Sequence, residues 1–591
     1  MSVRSNRARR RVTCHWSLSV FDHHCVTYPP HLLHHCPMKQ HMLALGLSLI
    51  TTTAIWAQEV EWSANWGGDG VAYLGSFPLV TADGDGNSYS TCNFGGTVDM
   101  HGHVINGPGV FLAKLNEVGV TQWVKRFGES TGSPMILNEE RPLGIAYDPL
   151  LDEVVVVGAY NTRLIFDHDT LHPNVDPESP RLYIARFASD GECLWARYAT
   201  NGPENVQIAL DASSALHIVG SFGGEFQGTP AISVSPGGCH AVYSATGDLL
   251  SAERFLTGGT IGGMCMLPNG KFAVTFRTTT NVQLFGEPLE LELGSGYTSA
   301  VVQTDLAGAV DWVFPMRAQT NGVSAVYCRS TDNGRILFNG GFHGDLYTPT
   351  DTISSVLGGP TLFIASMDPL GALQWVRTLD SENTIYFGQQ FDTDADGNVY
   401  LQGSFRESMA VAGAVLTANT SDQGFLVKLD TAGICRAAWD CGKVSGPWGG
   451  VVVADDGLYT TCTFDSAFHF ADVSITPEQV LGGYRSIFIA HLDSLSGFTG
   501  VQTLTGGGPQ ALHIFANPNN GICTLELPES LQPTPDLLLS VYDNTGQLVQ
   551  RAPLLFSENG VVLDIRAQAK GVYHVELGDG QQRYTGTIVF E

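Results

Sequence analysis

Two Asp-rich turns carry the side chains with the clearest potential for chemistry. Segments 83–87 and 394–398 read Asp-Gly-Asp-Gly-Asn and Asp-Ala-Asp-Gly-Asn, and alternating carboxylates of this kind open a calcium-binding loop. An EF-type loop also needs a glutamate at its twelfth position, where this chain has Phe94 and Phe405. We therefore interpret both segments as hairpin turns. Weak structural calcium remains the alternative, with four candidate ligands: Asp83, Asp85, Asp394 and Asp396.

Three other patterns resemble parts of enzyme or metal sites. Gly128–Gly132 has the letters of a nucleophile elbow, but an elbow needs a strand, a turn and a helix, and no such alternation surrounds it. His101 and His103 lack further His or Cys close in sequence, so a solvated loop is the better interpretation. Exposed carboxylates are numerous enough that a pair arranged for glycoside hydrolysis stays open. No HExxH motif and no P-loop occur.

Aromatic residues in loop-like segments form a second kind of candidate. Tyr297, Tyr347 and Trp448 could stack on a sugar or a peptide, although such residues more often pack at a rim. They indicate binding surfaces rather than catalysis.

Composition and charge narrow the functional classes. Only 15% of the residues are charged, whereas 68 are Gly and 10% are aromatic, which is typical of β architectures and not of disorder. The net charge of −28 repels phosphate backbones, so we expect no nucleic-acid partner. The elements that must position the candidate residues are therefore strands joined by turns.

The N-terminal region has the pattern of a processing signal. Lys39 precedes an apolar run over 43–56 and then Ala57, which predicts a Sec signal peptide at 38–57 with cleavage after Ala57. We interpret residues 1–37, which lie ahead of a suitable start, as a mis-assigned extension. The apolar run is too short for a comfortable transmembrane helix, and no other run is longer, so we expect none in the mature chain.

Nine cysteines follow position 57, and an odd number leaves at least one unpaired. Cys435 and Cys441 are close enough to close a small loop. Most of the others lie in apolar contexts, such as Cys265 and Cys462, and are predicted to be buried thiols.

A short apolar segment recurs along most of the chain. It reads Phe-Leu-Val-Lys-Leu-Asp at 425–430, followed by a Gly. Variants occur at 111–115, 183–187, 300–305, 363–368 and 488–493. A Trp often follows the Gly, as at Trp123, Trp195, Trp312, Trp375 and Trp439. Upstream, an Asp-Gly or Asn-Gly turn often leads to a small residue and an aromatic, such as Gly403 and Phe405.

Each repeat therefore predicts about four strands, and tandem four-stranded units predict a β-propeller. We expect an all-β chain with a propeller of about seven blades over 58–505 and a small β-sandwich after it. Trp62 and Trp66 look like a Trp strand without its own unit, which could complete the last blade. The repeats resemble the SBBP-type β-propeller repeats of bacterial exported proteins.

A separate module follows a Gly-rich linker at 506–511. Over 512–591, short alternating strands and Gly/Asn turns predict the β-sandwich. Its turn and strand motifs are carried by Asn517, Pro518, Asn519, Gly521, Tyr542, Asp543, Gly546, Lys570, Gly571 and Tyr573. These motifs resemble the type A C-terminal sorting domain of the type IX secretion system. The resemblance implies a Bacteroidota-like source, passage through that machinery, and a body that is released or attached to the cell surface.

Three functions remain open. The leading hypothesis is an exported, non-enzymatic propeller that binds an unknown extracellular protein or glycan and needs no cofactor. The second is an extracellular polysaccharide hydrolase or lyase on a propeller scaffold, and the third is a structural surface component. Since fold alone does not determine function, the arrangement of polar groups must decide between them.

Overall fold

In the computed structural model, every regular element of the described residues is a β-strand. The structure describes residues 60–590 with gaps, of which those of five or more residues are 69–77, 129–139, 174–178, 476–484, 493–499, 503–509 and 527–537. The all-β prediction is confirmed. The predicted extension, the signal peptide and its cleavage point lie outside the described residues. No helix in the described part of the chain is long and apolar enough to cross a membrane.

The strands of the N-terminal half pair antiparallel in groups of four. The bounds are β1 Trp62–Gly68, β2 Leu79–Ala82, β3 Ser88–Phe94, β4 Thr97–Met100, β5 His103–Asn106, β6 Gly109–Leu115, β7 Thr121–Phe127, β8 Arg141–Asp148, β9 Glu153–Tyr160, β10 Leu164–Ile165, β11 Thr170–Leu171, β12 Arg181–Ala188, β13 Cys193–Ala199, β14 Glu204–Leu210, β15 Leu216–Phe226, β16 Ile232–Tyr243 and β17 Leu249–Thr257. The groups are β2-β3-β6-β7, β8-β9-β12-β13 and β14-β15-β16-β17.

The pattern continues to residue 492. The bounds are β18 Thr260–Met266, β19 Phe272–Thr278, β20 Val282–Leu284, β21 Glu287–Leu289, β22 Thr298–Thr304, β23 Val310–Ser330, β24 Ile336–Tyr347, β25 Thr352–Ser354, β26 Thr361–Met367, β27 Leu373–Ser381, β28 Ile385–Thr393, β29 Val399–Phe405, β30 Ser408–Val411, β31 Ala414–Thr417, β32 Gln423–Leu429, β33 Cys435–Lys443, β34 Val451–Ala454, β35 Gly457–Phe464, β36 Phe468–Phe470, β37 Val473–Ile475 and β38 Ser486–Leu492. The groups are β18-β19-β22-β23, β23-β24-β26-β27, β28-β29-β32-β33 and β34-β35-β38-β1.

We name these groups units A to G. Their residues are 79–127 (A), 141–199 (B), 204–257 (C), 260–317 (D), 318–381 (E), 385–443 (F) and 451–492 with β1 (G). The first strands of consecutive units contact one another, and the first strand of unit G contacts that of unit A. Strand β1 is remote in sequence from unit G, yet it pairs with β38 from Trp62 opposite His491 to Trp66 opposite Ile487.

The recurring small residue of the second strand is explained by close packing. In unit F, a β-carbon at Gly403 would lie 2.1 Å from the backbone oxygen of Tyr386 and 2.6 Å from the ring of Phe425. The first strand and the aromatic side chain of the third strand therefore leave no room for a methyl group. Gly158 in unit B and Gly340 in unit E have the equivalent neighbours in their own units, a first-strand backbone oxygen and a third-strand aromatic ring.

Gly403→Ala should lower the free energy of unfolding by about 1–3 kcal/mol, the usual effect of overpacking a core. The midpoint of urea unfolding measures it. Gly84→Ala is the control, because a β-carbon at Gly84 meets nothing within 4 Å. Equal midpoints for the two variants would contradict the close packing described here.

The Trp of the repeat connects neighbouring units. Its indole lies on the Gly that turns the third strand of the next unit into the fourth strand, and the pairs are Trp62 with Gly119, Trp123 with Gly191, Trp195 with Gly247, Trp312 with Gly371, and Trp375 with Gly433. In four pairs the indole N–H also donates to a backbone oxygen of that turn, as from Trp195 to Ala245 O at 2.8 Å. The Gly…Trp spacing therefore encodes a contact between units.

The nine described cysteines form no disulfide, including Cys435 and Cys441, and all except the half-buried Cys435 are buried. Burial raises the pKa of the Cys92 and Cys193 thiols to about 12, so they are held as neutral, apolar groups. The prediction of buried thiols is confirmed.

Two further sheets form the C-terminal module. Its strands are β40 Gln510–Ala511, β41 His513–Phe515, β42 Ile522–Glu526, β43 Leu538–Asp543, β44 Leu548–Pro553, β45 Phe556–Ser557, β46 Gly560–Asp564, β47 Gly571–Gly578 and β48 Arg583–Phe590. The strand before them, β39 Gly500–Gln502, pairs in parallel with β33 of unit F. One sheet has the order β40-β48-β47-β43-β44 and the other β41-β42-β46-β45. Leu525 and Leu563 of one sheet share a core with Val541, Val575 and Ile588 of the other.

Candidate binding sites

One cavity, which we name the central cavity, runs along the first strands of the units. It has a volume of about 600 Å³, and every unit contributes residues of its first strand to the wall. The wall contains both polar and apolar side chains, with Ile208, Leu210 and Met266 half-buried along it. The cavity is therefore the place where residues from distant parts of the chain converge.

Arg329 and Asp392 form an ion pair in this wall. Arg329 Nε lies 2.5 Å from Asp392 Oδ1, and the backbone N–H groups of Thr393 and Val453 donate to the two carboxylate oxygens at 2.6 and 2.9 Å. Burial raises the pKa of Asp392, while Arg329 and the two backbone donors oppose the shift. Burial also raises the pKa of the adjacent Tyr327 to about 12. This carboxylate therefore accepts two backbone hydrogen bonds and pairs with one arginine.

The predicted calcium ligands lie in turns, as interpreted from sequence. Asp83 Oδ1 accepts the backbone N–H groups of Asp85 and Asn87, both at 2.9 Å, and Oδ2 accepts the Asn87 amide at 2.7 Å. Asp394 accepts from the backbone and side chain of Asn398, both at 2.8 Å. Asp85 and Asp396 are exposed. The described residues contain no group of three or more His, Cys, Asp or Glu suited to a metal. Calcium binding stays a prediction.

The same carboxylate cap recurs in turns that sequence reasoning did not single out. In each, one Asp oxygen accepts the backbone N–H groups two and four residues later, at Asp211, Asp305, Asp368 and Asp430. Such caps satisfy turn N–H groups that have no strand partner. Part of the acidic excess of this chain therefore has a structural role.

The other predicted candidates do not converge. Tyr297 and Tyr347 lie in unit D and unit E, and each has an arginine over its ring, Arg277 at 5.0 Å and Arg317 at 5.5 Å. His101 and His103 are exposed at the hairpin between β4 and β5. Ser130 of the elbow-like pattern and Trp448 lie outside the described residues.

A second cavity, of about 490 Å³, lies on unit C, and we name it the unit C crevice. On its floor, His217 Nδ1 lies 3.0 Å from His240 Nε2, and both side chains are buried. His217 Nε2 lies 3.4 Å from Asp211 Oδ2, and His240 Nδ1 lies 4.0 Å from Glu253 Oε1. Sequence reasoning missed this chain of four titratable groups, because its members are far apart along the chain.

Stability should fall as the pH falls below about 6.5. Burial, with a contribution from His240, lowers the pKa of His217 in the folded chain, so below its unfolded value of ~6.5 the unfolded chain binds more protons. The titratable groups that face His217 and His240 are Asp211 and Glu253, and Phe272 of β19 packs on His240. Comparing urea midpoints at pH 7.5 and 5.5 measures the loss.

His217→Gln should reduce that loss, whereas the exposed control His101→Gln should retain it. An unchanged pH dependence in His217→Gln would show that other groups cause it.

Three of the predicted sorting residues, Asn519, Gly521 and Tyr573, form hydrogen bonds within the C-terminal module. Asn519 is buried, its N–H donates to Val589 O at 2.9 Å, and its Oδ1 accepts the Gly521 N–H at 2.8 Å. Tyr573 is buried and its hydroxyl donates to Ala569 O. Pro518, Lys570 and Gly571 are exposed, Tyr542 is half-buried, Asp543 ends β43, and Asn517 and Gly546 lie outside the described residues.

Comparison with known proteins identifies this module. Residues 513–591 match the family model described as the secretion system C-terminal sorting domain. The predicted type IX sorting domain is thereby confirmed, and it indicates export to the cell surface or the medium. No curated protein matches the chain.

Several solved structures are similar to this chain at low identity. A protein of unknown function from Bacteroides caccae is 11% identical, over 63% of this chain and 98% of that chain, with a TM-score of 0.24. One from Bacteroides thetaiotaomicron VPI-5482 is 11% identical over 70% and 98%, with a TM-score of 0.28. The Neurospora crassa Pan2 WD40 domain is 9% identical over 61% and 91%, with a TM-score of 0.29. Similarity at this level identifies no activity.

Proposed function

We propose that this chain is an exported, non-enzymatic binding protein that acts at the cell surface or in the medium. A Sec signal peptide at 38–57 would direct the first export step, and the sorting domain would engage the type IX secretion machinery. The body is a closed seven-bladed β-propeller of SBBP-type repeats, in which units A to G are the blades. Its ligand is an extracellular protein or a glycan.

Three features support ring closure. The first strands contact one another in sequence, and those of units G and A also meet. Strand β1 supplies the fourth strand of unit G through its pairing with β38. The indole of Trp62 lies on Gly119 of unit A, as the other repeat tryptophans lie on the next unit. Radial repetition leaves only short, protected sheet edges, which limits pairing with strands of other chains.

The observation that carries the binding function is the state of the carboxylates in the central cavity. Three carboxylates line it, those of Asp83, Asp392 and Asp455. Asp83 and Asp392 are buried and accept backbone N–H groups, Asp83 from its own turn and Asp392 from Thr393 and from Val453 of unit G, so that only the exposed Asp455 is left without such a role. A glycosidase needs two carboxylates free to act as acid and as nucleophile or base. Carboxylates used to hold the fold favour a binding scaffold over a polysaccharide hydrolase or lyase.

Export is tested first, in the native host. The intact chain should yield a mature protein starting near Gln58 in the medium or on the cell surface, without the region after about Gly508. A chain lacking 512–591 should remain inside the outer membrane while still folded. Intact-mass analysis and N-terminal sequencing of each fraction measure both. Equal surface exposure of the two chains would overturn the export route.

Binding and catalysis are tested together on the mature protein. We expect saturable binding on a glycan array or to extracellular proteins of the host, with no release of reducing ends or unsaturated sugars from the bound glycans. Release of such products at catalytic turnover would replace the binding function with the hydrolase or lyase.

A further inference from the structure

The unit C crevice lies where unit C departs from the repeat. In unit B, Trp195 lies four residues after Gly191 and opposite Arg186, whereas in unit C the same register places Ser251 opposite Val242. No indole is therefore present on this face of unit C. The ring of Phe285 packs on Gly308 of unit D, where an indole from unit C would otherwise lie.

His240 is a second departure at the same place. It lies seven residues before the turn glycine of unit C, where other units carry a buried aliphatic side chain: Leu112, Ile184, Val301, Ile364 and Leu426. Its side chain is only 3% exposed. Placing an imidazole where five units place hydrocarbon is costly unless its nitrogens are satisfied.

When both imidazoles are neutral, the four groups of the crevice have one N–H too few for the three contacts between them. Two neutral imidazoles have two N–H groups between them, but Asp211–His217, His217–His240 and His240–Glu253 are three links. If His217 donates to Asp211 and His240 donates to His217, then His240 Nδ1 presents a lone pair beside the Glu253 carboxylate. The 4.0 Å separation of these two acceptors is the longest of the three links. A single hydrogen-bond donor group placed between these two atoms would therefore bind both of them.

The charge of the crevice selects among donors. Its lining contains the carboxylates of Asp211 and Glu253 and no Lys or Arg. Asp211 Oδ1 is already occupied by the Ser213 and Ala215 N–H groups, so Glu253, with 48% of its side chain exposed, is the carboxylate that faces a ligand. A cation gains charge-assisted hydrogen bonds there that a neutral hydroxyl does not.

We propose that the unit C crevice is a binding site for an organic cation, a guanidinium or primary ammonium group. Its N–H groups bridge Glu253 Oε1 and His240 Nδ1, and its hydrocarbon part lies against Val242 and Leu250, beside the Ser251 side chain that replaces the repeat tryptophan. The site is separate from the central cavity and does not depend on the export route, so its failure would leave the proposed function intact.

Calorimetric titration of the mature protein with N-acetylarginine methylamide at pH 7.5 tests this. We expect saturable binding, and no binding of the citrulline analogue, which has the same shape without the charge. Glu253→Gln should weaken binding about tenfold or more, the loss of one charge-assisted contact. Ser251→Trp should abolish binding by filling the space. Glu287→Gln, an exposed carboxylate in unit D, is the matched control and should bind as the wild type does.

The thermal unfolding midpoint of each variant establishes that it is folded. No saturable binding to the folded wild-type protein, equal binding of arginine and citrulline analogues, or unchanged binding in both Glu253→Gln and Ser251→Trp would each overturn the proposal. Tighter binding of the blocked arginine than of butylguanidinium identifies a protein side chain as the source, and the reverse order identifies a small free cation.

Discussion

Trp195→Ala should lower the free energy of unfolding by about 3–5 kcal/mol, the usual cost of deleting a buried indole. Trp195 is 5% exposed, lies on Gly247 of unit C and donates its N–H to Ala245 O at 2.8 Å. The variant leaves a cavity between unit B and unit C and removes the hydrogen bond that spans them. Urea unfolding of the mature chain, followed by circular dichroism, measures the loss.

Two variants define what the loss means. Leu194→Ala, next along the strand and 42% exposed, should change stability by less than about 0.5 kcal/mol. Trp195→Phe should lose less stability than Trp195→Ala, because a ring still packs on Gly247. Gly247 itself has a φ of +81°, which disfavours a side chain at that position. A Trp195→Ala chain as stable as Leu194→Ala would show that the indole contributes little between the units.

Arg186→Ala should destabilise the chain by about 3–5 kcal/mol, because it leaves a buried carboxylate without its partner. Arg186 is fully buried, pairs with Asp148 and Glu153, and donates to Ser214 O of unit C at 3.0 Å. Asp148 is itself 2% exposed, so water cannot replace the lost guanidinium. The measurement is the same unfolding experiment.

A double variant separates charge from packing. Arg186→Met with Asp148→Asn leaves no unpaired charge and should lose less than Arg186→Met alone. Arg377→Ala is the matched control. Among the described residues, Arg377 donates to backbone oxygens, such as Gly433 O at 2.8 Å, so its removal leaves no carboxylate without a partner. If the double variant lost as much as the single one, an unpaired charge would not be the cause.

Much of the fold could be predicted from the sequence because each repeated motif spans only a few neighbouring residues. The Asp-Gly turns and the Gly turn before the Trp each span one or two strands, and they predicted turns and strand pairs that the structure contains. The sorting domain could be predicted for the same reason, since its motif residues fall in three short segments: the turn before β42, the end of β43 and the start of β47.

The candidate sites were less readable, because they join residues that are distant in sequence. The Asp83 and Asp394 pattern predicted turns correctly, but only the coordinates show that their carboxylates cap backbone N–H groups. Arg329 meets Asp392 across two units, and nothing in either segment indicates that contact. Aligning the repeats would have found Ser251 at a Trp position and His240 at an aliphatic one, but not that both face one crevice.

The amino-acid sequence by itself determined the all-β class, the four-stranded unit and the export module, because strand periodicity, turn residues and short motifs act over a few neighbouring residues. Tertiary structure alone decided which side chains meet between units: the indoles on the turn glycines and the Arg329–Asp392 pair. Those contacts depend on how successive sheets are stacked, and stacking depends on the packing of whole faces rather than on any local pattern.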